Sequence, residues 1–266
     1  AWAAATAEQS SSEADGQPGA IATVEPLSEG RNWTWYALRR GADTIIASYP
    51  TEAEDRHVPT LKVTVPTRLV EIAARTVGGD IETERLDSPL DAQTRGGSIE
   101  INEHGHQPVV ARTAGGNIAA GGHPTQAKLR TSGGNIHFAG NAQELDGKTA
   151  GGNLRLAGRV ERFNARTAGG NIAIEGARLI EGTHRARAAG GRIKVLLAED
   201  SSVRIRAGAL GGGIHVDLPA AEGETTKRGP NRRYRGTLGE GAADLDLRSV
   251  GGSIEIGTLP TEVTAD

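Results

Sequence analysis

The sequence predicts an all-β fold, a right-handed parallel β-solenoid (β-helix) of about ten rungs with an irregular N-terminal β cap. Three observations carry this expectation. Paired glycines begin at Gly78, Gly96, Gly115, Gly133, Gly151, Gly169, Gly190, Gly211 and Gly251, so most steps are 18 to 21 residues and the last equals two ordinary periods. The flanking text repeats with them, as RTVGGDI, QTRGGSI, RTAGGNI, RTSGGNI, KTAGGNL and RSVGGSI. On both sides of each pair, apolar residues alternate with polar ones, which is the period of a strand with one buried face.

Six positions before the first glycine stand Ile72, Leu90, Val109, Ala127, Leu145 and Phe163. Three and five positions after it stand Ile99 and Ile101, Ile136 and Phe138, Leu154 and Leu156, Ile172 and Ile174. Each repeat therefore holds two strands joined by a glycine corner. An antiparallel sandwich would not need one residue type at one place every 18 residues, whereas a coil that stacks repeats puts like on like. The corner pairs Gly115–Gly116, Gly133–Gly134, Gly151–Gly152 and Gly169–Gly170 supply positive φ or close approach between rungs, both of which a Cβ would obstruct. Handedness follows the general preference for right-handed crossovers. Along the chain, residues 1–19 read as a flexible tail and 20–66 as cap strands. Residues 67–258 read as the solenoid, with a long surface loop at 217–243, and 259–266 as a C-terminal tail.

Composition narrows the function. Glycine accounts for 38 of 266 residues and aromatic residues for 3%, so the large rings that fill an ordinary enzyme core are scarce. The balance of 33 acidic and 30 basic residues lacks the overall positive field of a dedicated nucleic-acid binder. Without cysteine there is no disulfide, thiolate nucleophile, zinc finger or iron–sulfur site, and no cofactor is expected. The chain starts at Ala1 and contains no Met, and its opening AWAAATAEQSSSEADGQPG has the small and polar residues that follow signal-peptide cleavage. An extracytoplasmic location is expected: periplasm, cell surface or secreted. No apolar run approaches the roughly 20 residues of a transmembrane helix.

The stretch from Leu61 to Ile256, with LKVTVP leading into ARTVGGDIE, the TAGGNI units and finally YRGTLGEGAADLDLRSVGGSIEI, resembles a bacterial adhesin-type family of β-strand repeats. That family is a domain of unknown function close to the auto-transporter adhesin head domain. The resemblance implies an extracytoplasmic β-helix and an adhesive role, and it brings no catalytic residues.

Four groups of residues are candidates for function. Three positions before the glycine pairs stand Arg75, Arg112, Arg130, Lys148, Arg166, Arg187 and Arg248, interrupted by Gln93 and Gly208. Their parity places them outside, either as a solvated, partly paired face or as a site for an anionic polysaccharide or envelope surface. Asn117, Asn135, Asn153 and Asn171 follow the glycine pairs and read as a structural amide ladder. His104 and His123 each lie eight residues after their glycine pair, so they should stack on adjacent rungs with His106 nearby. They are weak candidates for a shared metal, and the expectation is that none binds. Trp33, Trp35 and Tyr36 read as cover for the first rung or as a patch for assembly or sugar. The function expected is a non-enzymatic surface, adhesin-like or structural protein. The alternative is a self-assembling subunit of an extracellular fibre, a homo-oligomer built by end-to-end stacking or N-terminal strand docking.

Overall fold

Each repeat forms two strands because its apolar residues alternate on either side of the glycine pair, and strands of neighbouring rungs pair in parallel. The structure, a computed structural model, describes residues 23–26, 33–40, 43–50, 61–65, 71–177, 179, 181–198, 200–218 and 222–259. It divides into two units, Ala1–Arg68 and Leu69–Asp266. In the second unit, the strands before the glycine pairs belong to an eleven-stranded sheet, face A, and those after the pairs to a nine-stranded sheet, face B. Face A begins with Ile72–Arg75, Leu90–Gln93, Val109–Arg112, Gln126–Arg130, Ala142–Lys148, Val160–Thr167 and Thr183–Ala188. Face B begins with Ile81–Glu84, Ile99–His104, Ile118–Gly122, Ile136–Gly140, Leu154–Ala157, Ile172–Ala177 and Ile193–Leu197. Nine two-strand rungs result among the described residues.

The core lies between the two faces. Like residues sit on like, as with Ile118 on Ile136 on Leu154 and Ala127 on Leu145 on Phe163. Ile99, Ile118, Ile136, Leu154, Ile172, Ile193 and Ile254 are each at most 1% exposed, and each such burial contributes about 1.5–3 kcal/mol. Aromatic rings are rare because the space between the faces is filled by these aliphatic ladders facing Ala92, Ala111, Ala165 and Ala186. In the first rung, Ile72, Ala74, Ile81 and Thr83 are only half-buried, whereas Leu90, Ala92, Ile99 and Ile101 one rung on are buried.

At the far end, the order in space departs from the order in sequence. After Ile193–Leu197 the chain leaves one place empty and lays Val203–Leu210 and Ile214–Asp217 one rung further on. It then makes a hairpin from Glu222–Arg228 and Asn231–Leu238, and returns to insert Ala243–Val250 and Ile254–Thr258 into the place it left. Ala243–Val250 is parallel to Thr183–Ala188 on one side and to Val203–Leu210 on the other. The 40-residue step is therefore an excursion and return.

The long loop expected at 217–243 is corrected in part, since 222–228 and 231–238 are strands. Asn231–Leu238 runs antiparallel to Val203–Leu210. Gly229, with φ 58°, and Pro230 make the two-residue turn. Alternation did not reveal the hairpin because both sides of EGETTKR are polar. Glu222–Arg228 is exposed along its whole length, and its charged side chains give this edge little to offer a further strand. Tyr234 is buried over Gly223 and Gly236, where a Cβ would run into its ring.

In the unit Ala1–Arg68, Thr23–Pro26 pairs antiparallel with Leu61–Thr64, and Trp33–Arg40 with Asp43–Pro50. Trp33 is opposite Pro50, Trp35 opposite Ser48 and Tyr36 opposite Ala47 in that hairpin. The tail assigned to residues 1–19 lies outside the described residues, as do 260–266 of the C-terminal one.

Candidate functional site

The glycine corner is held by a buried hydroxyl. Thr94, Thr113, Thr131, Thr149 and Thr167, two positions before their glycine pairs, are 2–7% exposed. Each donates to the carbonyl of the second glycine one rung back, at 2.8–3.0 Å, as Thr131 does to Gly116 and Thr149 to Gly134. Each also accepts the amide of the second glycine in its own pair, at 3.1–3.2 Å. Ser249 takes the same place in the inserted rung and donates to Gly191 at 2.9 Å. The signal for this device was in the sequence: a hydroxyl recurring at a position whose parity faces inward.

The two glycines of a pair differ in their environment. A Cβ on Gly116, Gly134, Gly152 or Gly170 would collide with the carbonyl of the second glycine one rung back. On Gly115, Gly133, Gly151 or Gly169 it would meet backbone only at ordinary contact distances of 3.6 Å or more. Rung-to-rung closeness at the second glycine is what the corner requires. Asn117, Asn135, Asn153 and Asn171 form a column outside it, in which Asn117, Asn135 and Asn153 each accept the backbone amide of the next Asn at 2.8 Å. Asn171 accepts the amide of Arg192, also at 2.8 Å.

Face A carries the charged surface. The outward column runs Arg75, Gln93, Arg112, Arg130, Lys148, Arg166, Arg187, Arg248, Gly208 and Arg233, each in register with the next. Six consecutive rungs, from Arg112 to Arg248, present a cation. Like charges at a rung spacing of about 4.8 Å repel by roughly 0.9 kcal/mol in water before screening. The carboxylates beside the column are placed to relieve this at its ends. Asp91 bridges Arg75 at 3.3 Å and Arg112 at 3.1 Å. Asp246 bridges Arg248 at 3.2 Å and Arg187 at 3.7 Å. Asp146 pairs with Arg130 at 3.2 Å and accepts from Asn164. Lys148 and Arg166 have no ion pair among the described residues. A groove of about 230 Å³ lies further along this face, lined by Thr183, Arg185, Arg206, Asp244, Asp246 and Arg248.

The histidine expectation is corrected. His104 is in register with Gly122, across an irregularity after Ala120, and its ring is buried in the core at 1% exposure. Its ring nitrogens have no hydrogen-bond partner, and burial pushes the imidazole below its ordinary pKa against the pull of the Gln107 backbone and Asp87. It is His106 that stacks on His123, with centroids 5.9 Å apart. Among the described residues, no three His, Cys, Asp or Glu are grouped to hold a metal. His184, fully buried against Phe163 with centroids 4.9 Å apart, takes a column position that is apolar in the other rungs, next to Leu245 of the inserted one. Its Nε2 lies 3.0 Å from the Glu181 carbonyl, and burial again lowers its pKa.

No curated protein matches the chain. A solved structure of a "putative cell adhesion protein" from Clostridium sporogenes ATCC 15579 is similar over 92% of this chain and 85% of that one, at 9% identity and a TM-score of 0.25. The description of the Toastrack DUF4097 family matches residues 40–257, most of the chain, and the chain belongs to that family.

Proposed function

We propose that this chain is a non-enzymatic surface or structural protein, adhesin-like, working outside the cytoplasm, and that face A is where it binds an anionic polysaccharide of the cell envelope or its surroundings. One observation supports the reading above the others. The cation column is unbroken from Arg112 to Arg248, and its middle members Lys148 and Arg166 are exposed with no carboxylate paired to them among the described residues. Stacked strands hold these charges at fixed spacing, so a polyanion meets an ordered row at little cost in side-chain rearrangement. A catalytic reading has less to stand on. The two histidines with shifted pKa values are sealed in the core, and Asp91, Asp146, Asp244 and Asp246 are each tied to arginine.

Filament growth by end stacking is not favoured at the hairpin end, where the exposed edge Glu222–Arg228 carries Glu222, Glu224, Lys227 and Arg228. The test is binding of the purified chain to a uronate or sulfated polysaccharide at several salt concentrations, beside K148S/R166S. Weaker binding and a shallower salt dependence in the variant are expected. Equal binding by both proteins removes face A from the reading.

A further inference from the structure

We infer that the anionic group received by face A is a phosphate ester on a sugar, held by Arg162, Arg166 and Arg185 above Asn164, with the sugar ring in the groove beyond Arg185. This rests on the reading of face A as a polysaccharide-binding surface, and it names the chemical group bound there. Carboxylates are spread unevenly over the face. Arg75 and Arg112 share Asp91, Arg130 has Asp146, and Arg187 and Arg248 share Asp246. Lys148, Arg162, Arg166 and Arg185 are exposed and have no ion pair among the described residues. Glu144, in register with Arg162, accepts instead from Gln126 at 2.9 Å.

These cations surround one short residue. Arg162, Asn164 and Arg166 share the outer side of one strand, and Asn164 is in register with Arg185 on the next rung. The three arginines therefore start from the corners of a triangle with sides of about 13, 8 and 8 Å, and Asn164 stands at the middle of the long side. Long side chains around a short one leave a dip. The stem of Arg162 lies against Gly182, on the rung that carries Arg185. Asn164 does not hold the arginines: its amide nitrogen donates to Asp146 at 2.8 Å, and its Oδ1, shielded from solvent, accepts no hydrogen bond from the described residues. The guanidiniums are thus free to turn to a group above them. Three planar forks suit the three oxygens of a phosphomonoester. Four cations, with Lys148 in register beside Arg166, suit its charge of about −1.5 to −2 better than the single charge of a carboxylate.

The groove accounts for the sugar. It adjoins Arg185 and is lined also by Thr183, Arg206, Asp244 and Asp246. Asp246, in register with Arg185, is two rungs or about 10 Å from Asn164, on the scale of a sugar ring with its phosphate arm. The carboxylates of Asp244 and Asp246 have lone pairs beyond those that arginine takes, and these accept sugar hydroxyls. A bare polyanion would be repelled by these two acids, whereas a hydroxylated ring is bound by them.

Calorimetry of the purified chain compares a mannan bearing phosphomonoesters with polygalacturonate at matched charge density and salt, and mannose 6-phosphate with inorganic phosphate. The phosphorylated mannan should bind about tenfold more tightly than polygalacturonate, and mannose 6-phosphate more tightly than inorganic phosphate. Vesicles containing phosphatidic acid, which present phosphate without a sugar, should bind no better than polygalacturonate. R162K/R185K keeps the charge and removes two forks, so it should lose the preference for the phosphorylated mannan and bind polygalacturonate as the parent does. A preference that survives in R162K/R185K overturns the inference, as does inorganic phosphate or a phosphatidic acid vesicle binding as tightly as its sugar counterpart. Equal affinities for the two polymers, both weakened in K148S/R166S, would overturn the phosphate assignment and leave face A as the binding surface. Binding of neither polymer would overturn both.

Discussion

Thr149 donates its hydroxyl to the carbonyl oxygen of Gly134, one rung back, at 2.9 Å. The Thr149 hydroxyl oxygen in turn accepts the amide of Gly152 at 3.1 Å, so one buried side chain satisfies two backbone groups that the corner removes from both sheets. T149V keeps the shape and removes both bonds. Leaving a buried donor and acceptor without partners costs about 1–3 kcal/mol, so the unfolding free energy of T149V from urea titration should fall by that amount, and T149S should recover most of it. A T149V chain as stable as the parent would show that the hydroxyl does not hold the corner.

The paired glycines should respond unequally to substitution. A Cβ on Gly152 would collide with the carbonyl of Gly134, while one on Gly151 would come no nearer than 3.7 Å to the rung behind. G152A is expected to destabilise by about 1–3 kcal/mol through overpacking, and G151A to stay within roughly 0.5 kcal/mol of the parent. Thermal unfolding of the two variants decides it. Similar losses in both would mean that the first glycine has a role that contact distances do not explain.

How far the sequence reached follows from what a repeat can encode. The 18-residue spacing and the parity of Ile136, Phe138 and Leu145 give rungs, faces and core, because burial imposes the same constraint on every repeat. The role of Thr149 was present as a recurring letter whose inward parity only gains meaning once the carbonyl one rung back is in place. His104 was misplaced because counting from the glycine pair ignores the register shift between Ala120 and Gly122. The insertion of 243–258 was hidden, since RSVGGSI fits any slot in the stack. What distinguishes its slot is the outward pattern of Asp244 and Asp246 among arginines, and that is legible only when the neighbours are known. On face A the column of cations was visible, but the bridging of Arg75 and Arg112 by Asp91 was not.

The buried histidines make stability depend on pH in one direction. Burial lowers the pKa of His104 and of His184 in the folded chain, with opposing pulls from the Gln107 backbone and Asp87 on one and the Glu181 carbonyl on the other. Below about pH 6.5 the unfolded chain binds protons that the folded chain refuses, so stability is full above that value and falls as the medium becomes more acid. Each histidine should therefore take away stability as the pH falls from 7.5 to 5.5. H184F fills the same column between Phe163 and Leu245 without a titrating group. Urea midpoints of H184F should therefore drop less over this range than those of the parent. Parallel curves for the two proteins would mean that His184 protonates equally well in both states.

Position in the stack, rather than position in the chain, should set local stability at the far end. In a solenoid whose rungs follow sequence order, the last repeat is an end and frays first. Here Leu245, Leu247, Ile254 and Ile256 of the last repeat are at most 2% exposed, with a rung on either side, and their strands pair on both edges. The hairpin strand Glu222–Arg228 has one neighbour and no buried residue. Hydrogen exchange should therefore find the amides of 243–250 and 254–258 protected as strongly as those of 136–140 and 160–167, with those of 222–228 exchanging first. L247A should cost about 2–5 kcal/mol, the loss typical of an interior leucine rather than of a frayed end. Fast exchange across 243–258 together with a small effect of L247A would place this repeat at the edge of the stack, and the acids between its basic neighbours would then have no structural role.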